Sequence, residues 1–142
     1  VPERRNHDKE SVIAGRRLFY EIGCAACHYP SFKTGYDEDY PHLSNQVIWP
    51  YTDLLLHDMG KGLADGRPDY LASGSEWRTP PLWGIGLSKQ VNGAQNFLHD
   101  GRARTVEEAI LWHGGEAEQV KQRFIRLDKK EREKLIEFVN SL

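Results

Sequence analysis

The chain has 142 residues, the size of one domain, with 39% hydrophobic and 28% charged residues and a formal net charge of −2. That charge gives no electrostatic footprint for nucleic acid. No run approaches the roughly 18 apolar residues of a membrane span, since the Leu54-Leu55-Leu56 triplet passes directly into His57-Asp58.

The first helix is predicted from about Lys9 to Ile22, where Ala14, Leu18, Phe19 and Ile22 recur at helical spacing. Gly23 ends it and Cys24 to His28 follow. Residues 29–49 read as a loop, broken by Pro30, Gly35 and Pro41 and carrying the acidic run Asp37-Glu38-Asp39. Pro50 suits the first turn of a short helix reaching Met59, stopped by Gly60 and Gly62. A second loop covers 60–74, and Pro80-Pro81-Leu82-Trp83-Gly84-Ile85 opens another short helix. Thr105 and Glu108 form a capping box for a helix ending at Gly114-Gly115. A further helix is predicted from Ala117 to Arg126. The last follows Asp128, with Glu131 three residues on and Leu135, Phe138, Val139 and Leu142 on one face. No strand is predicted. Short helices joined by long loops need something to fill their centre.

Cys24-Ala25-Ala26-Cys27-His28 is a CxxCH sequence, containing the chain's two cysteines. Two thiols three residues apart on a helical turn can add to the two vinyl groups of one haem, and the next histidine then aims its imidazole at the iron. A thioredoxin-like redox pair would need a strand before Cys24, and a zinc site would need two more ligands at recognisable spacing. The expected fold is therefore all-α: a single cytochrome c-type domain over 1–142, with short helices and long loops wrapped around one covalent haem c. Attachment of this kind implies export, in bacteria to the periplasm. The chain opens Val1-Pro2-Glu3-Arg4-Arg5 with neither a signal peptide nor an initiating Met, the pattern of a processed chain or a fragment.

Four segments come in order: Tyr51-Thr52-Asp53-Leu54-Leu55-Leu56-His57-Asp58-Met59-Gly60, Arg78-Thr79-Pro80-Pro81-Leu82-Trp83-Gly84-Ile85, Phe97-Leu98-His99-Asp100-Gly101-Arg102, and Thr105-Val106-Glu107-Glu108-Ala109-Ile110. Together, from about Arg4 to Leu142, they resemble the C-terminal haem domain of the bacterial di-haem oxidoreductases. That family is often labelled thiol oxidoreductases and is related to the di-haem cytochrome c peroxidases. The resemblance implies a two-haem parent whose second half carries the electron-transfer haem. This chain has one CxxCH, so a second haem domain or another redox protein is the expected partner. A face left exposed by the missing domain is a candidate homodimer contact. The thiol label says nothing of a thiol substrate, because both thiols here are consumed by haem.

The candidate site residues follow. Pro80 or Pro81 offers a loop carbonyl for the imidazole N–H of His28, which would fix its tautomer. Arg78 is a candidate propionate partner or simply a surface arginine. The resemblance puts His99, heading the His-Asp-Gly-Arg turn, near the haem as a supporting residue. His57 is expected to pack through hydrogen bonds, His7 and His42 to be exposed, and Trp49, Trp77, Trp83 and Trp112 to wall the core and haem pocket.

Two residues compete as sixth ligand. Met59 is the only methionine and precedes Gly60. His113 shares the apolar face of Val106, Ala109 and Ile110. In the related peroxidases the distal ligand comes from this helix, a fixed step after the His-Asp-Gly turn. Fourteen residues on from His99 stands His113, where those relatives carry Met. The resemblance thus favours bis-His ligation by His28 and His113, with Met59 as the alternative. A haem ligated on both faces transfers electrons. An open or displaceable distal site would instead make a peroxidase or oxidoreductase centre.

Overall fold

A computed structural model describes residues 4–142 of the chain. Helix α1 spans Glu10–Glu21 and helix α5 spans Lys129–Ser141, and the two cross. α5 begins where its capping residues dictate. Asp128 accepts the Glu131 N–H at 2.9 Å, and the Glu131 carboxylate accepts the Asp128 N–H at 2.9 Å. Such a cap contributes about 1 kcal/mol. At the crossing the backbones nearly touch: a Cβ on Gly15 would run into the Lys134 carbonyl. Phe19 and Phe138 meet edge-to-face at 5.3 Å, with Val12, Leu135, Val139 and Leu142 buried around them. Each such side chain contributes about 2 kcal/mol on burial.

The remaining helices are α2 at Ser88–Asn92, α3 at Val106–Trp112 and α4 at Glu118–Arg126. A 3-10 turn at Ile85–Leu87 leads into α2, so the Pro80-Pro81 segment does open a helix, a few residues later than its first proline. Thr105 accepts the Glu108 N–H at 3.0 Å and caps α3. The return arm of this box lands one residue early, on the Arg104 N–H. α4 packs Phe124 into the core and sends Arg123 to the Ile22 carbonyl at the end of α1. No helix among the described residues is long and apolar enough to cross a membrane.

The all-α expectation is wrong. Besides five α-helices, the described residues form two antiparallel two-stranded sheets. Strands β1 (Phe32–Lys33) and β2 (Val47–Ile48) pair inside the predicted 29–49 loop. Strands β3 (Leu56–Asp58) and β4 (Glu76–Arg78) pair with Leu56 opposite Arg78 and Asp58 opposite Glu76. β3 lies where a helix from Pro50 to Met59 was expected. A short apolar run does not distinguish helix from strand by periodicity. Here Tyr51 at φ 55° and Leu54 at φ 62° leave the helical region altogether, and the partner strand is twenty residues away.

Candidate haem site

Gly23, at φ 101°, stops α1 in the left-handed conformation that favours glycine and turns the chain into a 3-10 turn at Cys24–Ala26. The His28 N–H then donates to the Cys24 carbonyl at 3.0 Å, so the whole CxxCH stretch is helically wound. Both cysteines are free and half-buried. Burial pushes the Cys24 thiol up to about 12. Cys27 is raised too, by burial first and then by the negative charges of Asp53 and Glu116. Both sulfurs are therefore held as protonated thiols.

The His28 ring lies 6.3 Å from Phe19. Its Nδ1 sits 3.1 Å from the carbonyl of Tyr51. A carbonyl only accepts, so Nδ1 carries the proton and Nε2 keeps its lone pair. Burial lowers the His28 pKa to about 4, against the pull of that hydrogen bond. The imidazole is neutral at ordinary pH. The carbonyl on His28 is thus that of Tyr51, directly after Pro50, and not that of Pro80 or Pro81.

His113, the residue that ends α3, has the same chemistry. Its Nδ1 faces the Ala109 carbonyl at 2.7 Å, one helical turn back, which again leaves Nε2 free. Burial lowers its pKa as well. The two rings are close enough that charge on His113 opposes charge on His28.

Met59 lies beside this end of α3. The Met59-Gly60 backbone crosses Gly114-Gly115 so closely that a Cβ on Gly114 would lie 2.9 Å from the Met59 carbonyl, and one on Gly60 would lie 2.8 Å from the Gly115 nitrogen. Both candidate sixth ligands therefore occupy one corner of the molecule.

The other named residues lie further out. Arg78 is exposed at the end of β4, and Pro80 is exposed two residues on. His99 stacks flat on Trp77, with ring centroids 3.5 Å apart and an 8° tilt. Its turn nevertheless reaches His113's neighbour, because Arg102 pairs with Asp100 at 2.5 Å and lies 4.7 Å over the Trp112 ring. Trp49 and Trp112 are largely exposed rather than core.

His57 is hydrogen-bonded as expected, through partners that the sequence reading did not name. Its Nε2 meets Asp53 at 2.8 Å and its Nδ1 meets Glu116 at 2.8 Å. Carboxylates only accept, so both ring nitrogens donate and the ring is an imidazolium. Its pKa is raised, most by the Glu116 hydrogen bond. Cys27, Asp53 and His57 offer ligand atoms within 4.8 Å of one another. Both His57 nitrogens are already committed to carboxylates, however, which leaves no donor there for a metal. The i, i+4 spacing of Asp53 and His57 was visible in the sequence, but Glu116 lies too far along the chain to be read as a partner.

The structure is similar to that of hydrazine synthase from Kuenenia stuttgartiensis, solved under xenon pressure, with a TM-score of 0.56 and 20% identity. The match covers 99% of this chain and 49% of that one, so the chain spans about half the length of its structural neighbour. At that identity the likeness is one of fold. No curated protein matches the chain. The family model "Di-haem oxidoreductase, putative peroxidase" matches residues 1–142. Four segments in the expected order, one CxxCH and a match over the full length lead to one assignment: the chain belongs to the di-haem oxidoreductase family.

Proposed function

We propose that this chain is a one-electron carrier, the electron-transfer domain of a di-haem oxidoreductase. It holds one haem c through Cys24 and Cys27, with His28 and His113 as axial ligands. The observation that carries this reading is the matched state of the two imidazoles. Each donates Nδ1–H to a main-chain carbonyl and each is held neutral by burial, so each presents a free Nε2. An N–H fixed in this way sets the tautomer and orientation that an iron ligand needs. The two protonated thiols fit the thioether chemistry of vinyl addition.

When bound, the haem supplies a one-electron ferric–ferrous couple. The residues of the chain determine its setting. Tyr51 and Ala109 orient the ligands, Phe19 packs beside His28, and the core excludes water from the proximal side. Two histidines give a lower potential than histidine with methionine. Attachment through CxxCH places maturation outside the cytoplasm, and the single motif calls for a second haem domain or redox protein as partner.

The experiment has two parts. Acid–acetone extraction should leave the haem on the protein with a c-type pyridine haemochrome, and haem lost to the solvent overturns the attachment. The ferric protein should be low-spin and lack the weak long-wavelength band of methionine–iron bonding. His113→Ala should abolish the low-spin state while Met59→Ala preserves it. A high-spin wild-type spectrum with rapid cyanide or peroxide binding would instead support the peroxidase reading.

A further inference from the structure

Segment 51–60 touches His28 and the residues directly after His113. At one end the Tyr51 carbonyl accepts from His28 Nδ1. At the other, Met59-Gly60 lies against Gly114-Gly115, the residues directly after His113. Between these ends the segment is tied down repeatedly. The Thr52 hydroxyl donates to the Thr79 carbonyl at 2.6 Å and accepts the Leu54 N–H at 2.9 Å. Asp53 accepts the Leu55 N–H at 3.0 Å, and the Met59 N–H donates to Ser75 at 2.9 Å.

One set of contacts joins this segment to the far side of His113. Glu116 uses both carboxylate oxygens, Oε2 on His57 Nδ1 at 2.8 Å and Oε1 on the Asp58 N–H at 2.9 Å. His57 in turn holds Asp53 at 2.8 Å, two residues from Tyr51. The approach of the two backbones has no slack, because a Cβ on Gly115 would collide with the Asp58 carbonyl. α3 ends at Trp112, and His113 is held to it by its N–H on the Ile110 carbonyl at 3.1 Å and by its Nδ1 on the Ala109 carbonyl at 2.7 Å. The chain then enters a 3-10 turn at Gly115–Ala117 that carries Glu116, so the grip on that turn bears on where His113 stands.

We propose that Asp53, His57 and Glu116 are positioning residues. Through hydrogen bonds they set where His113 stands relative to His28, and they keep His113, not the neighbouring Met59, as the second iron ligand. This rests on the bis-His reading above. None of the three residues is itself a ligand. Their effect passes through the backbone of 57–60 to 114–116.

The test uses the haem-loaded protein with two variants. Glu116→Gln keeps an oxygen for the Asp58 N–H and turns an amide NH2 toward the His57 Nδ1–H, which ends the charged contact. Glu116 is more than half exposed, at 57%, so the fold tolerates the change. Cyanide should then displace the distal ligand from the ferric protein about five- to tenfold faster, the range for losing one partly screened charged hydrogen bond. His57→Ala removes both contacts. It should give either a high-spin fraction that added imidazole returns to low-spin, or the methionine–iron band together with a raised potential. Met59→Ala in the same background should abolish that band.

If both variants keep the wild-type spectrum, potential and cyanide rate while melting earlier, the three residues are merely structural and the proposal is overturned. Failure of the underlying reading has a separate signature. The wild type itself would show the methionine–iron band, lost in Met59→Ala and retained in His113→Ala.

Discussion

At the α1–α5 crossing, Phe19, Leu135 and Phe138 fill space with side chains on two regular helices. Segment 51–60 packs against the same crossing through the Tyr51 ring, 6.0 Å from Phe19 and 5.8 Å from Phe138, but holds itself differently. It relies on single carbonyls, carboxylates and amides, and it places Tyr51, Leu54 and Gly60 at positive φ. The first region spreads its energy over many apolar contacts and supplies stability. The second concentrates its hold in a few directional bonds and supplies geometry. A change in one should therefore move melting, and a change in the other should move ligation.

Phe138→Ala tests the first half of that contrast most severely. It empties the centre of the crossing and should lower the unfolding free energy by about 3–5 kcal/mol, read by denaturant titration. The ligand spectrum of the fraction still folded should be unchanged, and a shift in spin state at low denaturant would blur the division.

Gly115→Ala strikes the second region. The new methyl meets the Asp58 carbonyl on a backbone at φ 53°, which costs about 1–3 kcal/mol. Its sharper readout is spectroscopic, with more loss of low-spin haem than the loss of stability alone explains.

Tyr51 joins the two regions, and its side chain and main chain can be separated. The fully buried hydroxyl has no hydrogen-bond partner among the described residues. Tyr51→Phe should therefore change stability by less than about 1 kcal/mol, in the stabilising direction where it changes at all. It should also leave the spectrum alone, because the acceptor for His28 is a main-chain atom. A spectral change would mean that the hydroxyl, and not the carbonyl, governs His28.

The smallest effect is a pH dependence. The folded-state pKa of His57 is raised above its unfolded value. Its contribution to stability is thus complete below about pH 6.5 and is lost as pH rises through the raised value. The difference in melting temperature between wild type and His57→Gln should shrink as pH rises above about 6.5. A difference that grows with pH would show that the imidazolium is not held by its two carboxylates.

What the sequence determined is what local chemistry specifies. The CxxCH run, the capping pair Asp128 and Glu131, the Thr105 cap and the glycine after α1 each act within five residues, and the corresponding elements formed at or near the predicted bounds. Tertiary structure decided the rest, because the deciding partners lie far apart in the chain. β3 became a strand rather than a helix through β4, twenty residues on. The carbonyl that orients His28 belongs to Tyr51 rather than to a Pro80-Pro81 residue, and a main-chain oxygen leaves no mark in residue types. His57 found Glu116 only because Gly60, Gly114 and Gly115 let two backbones meet where any side chain would hold them apart.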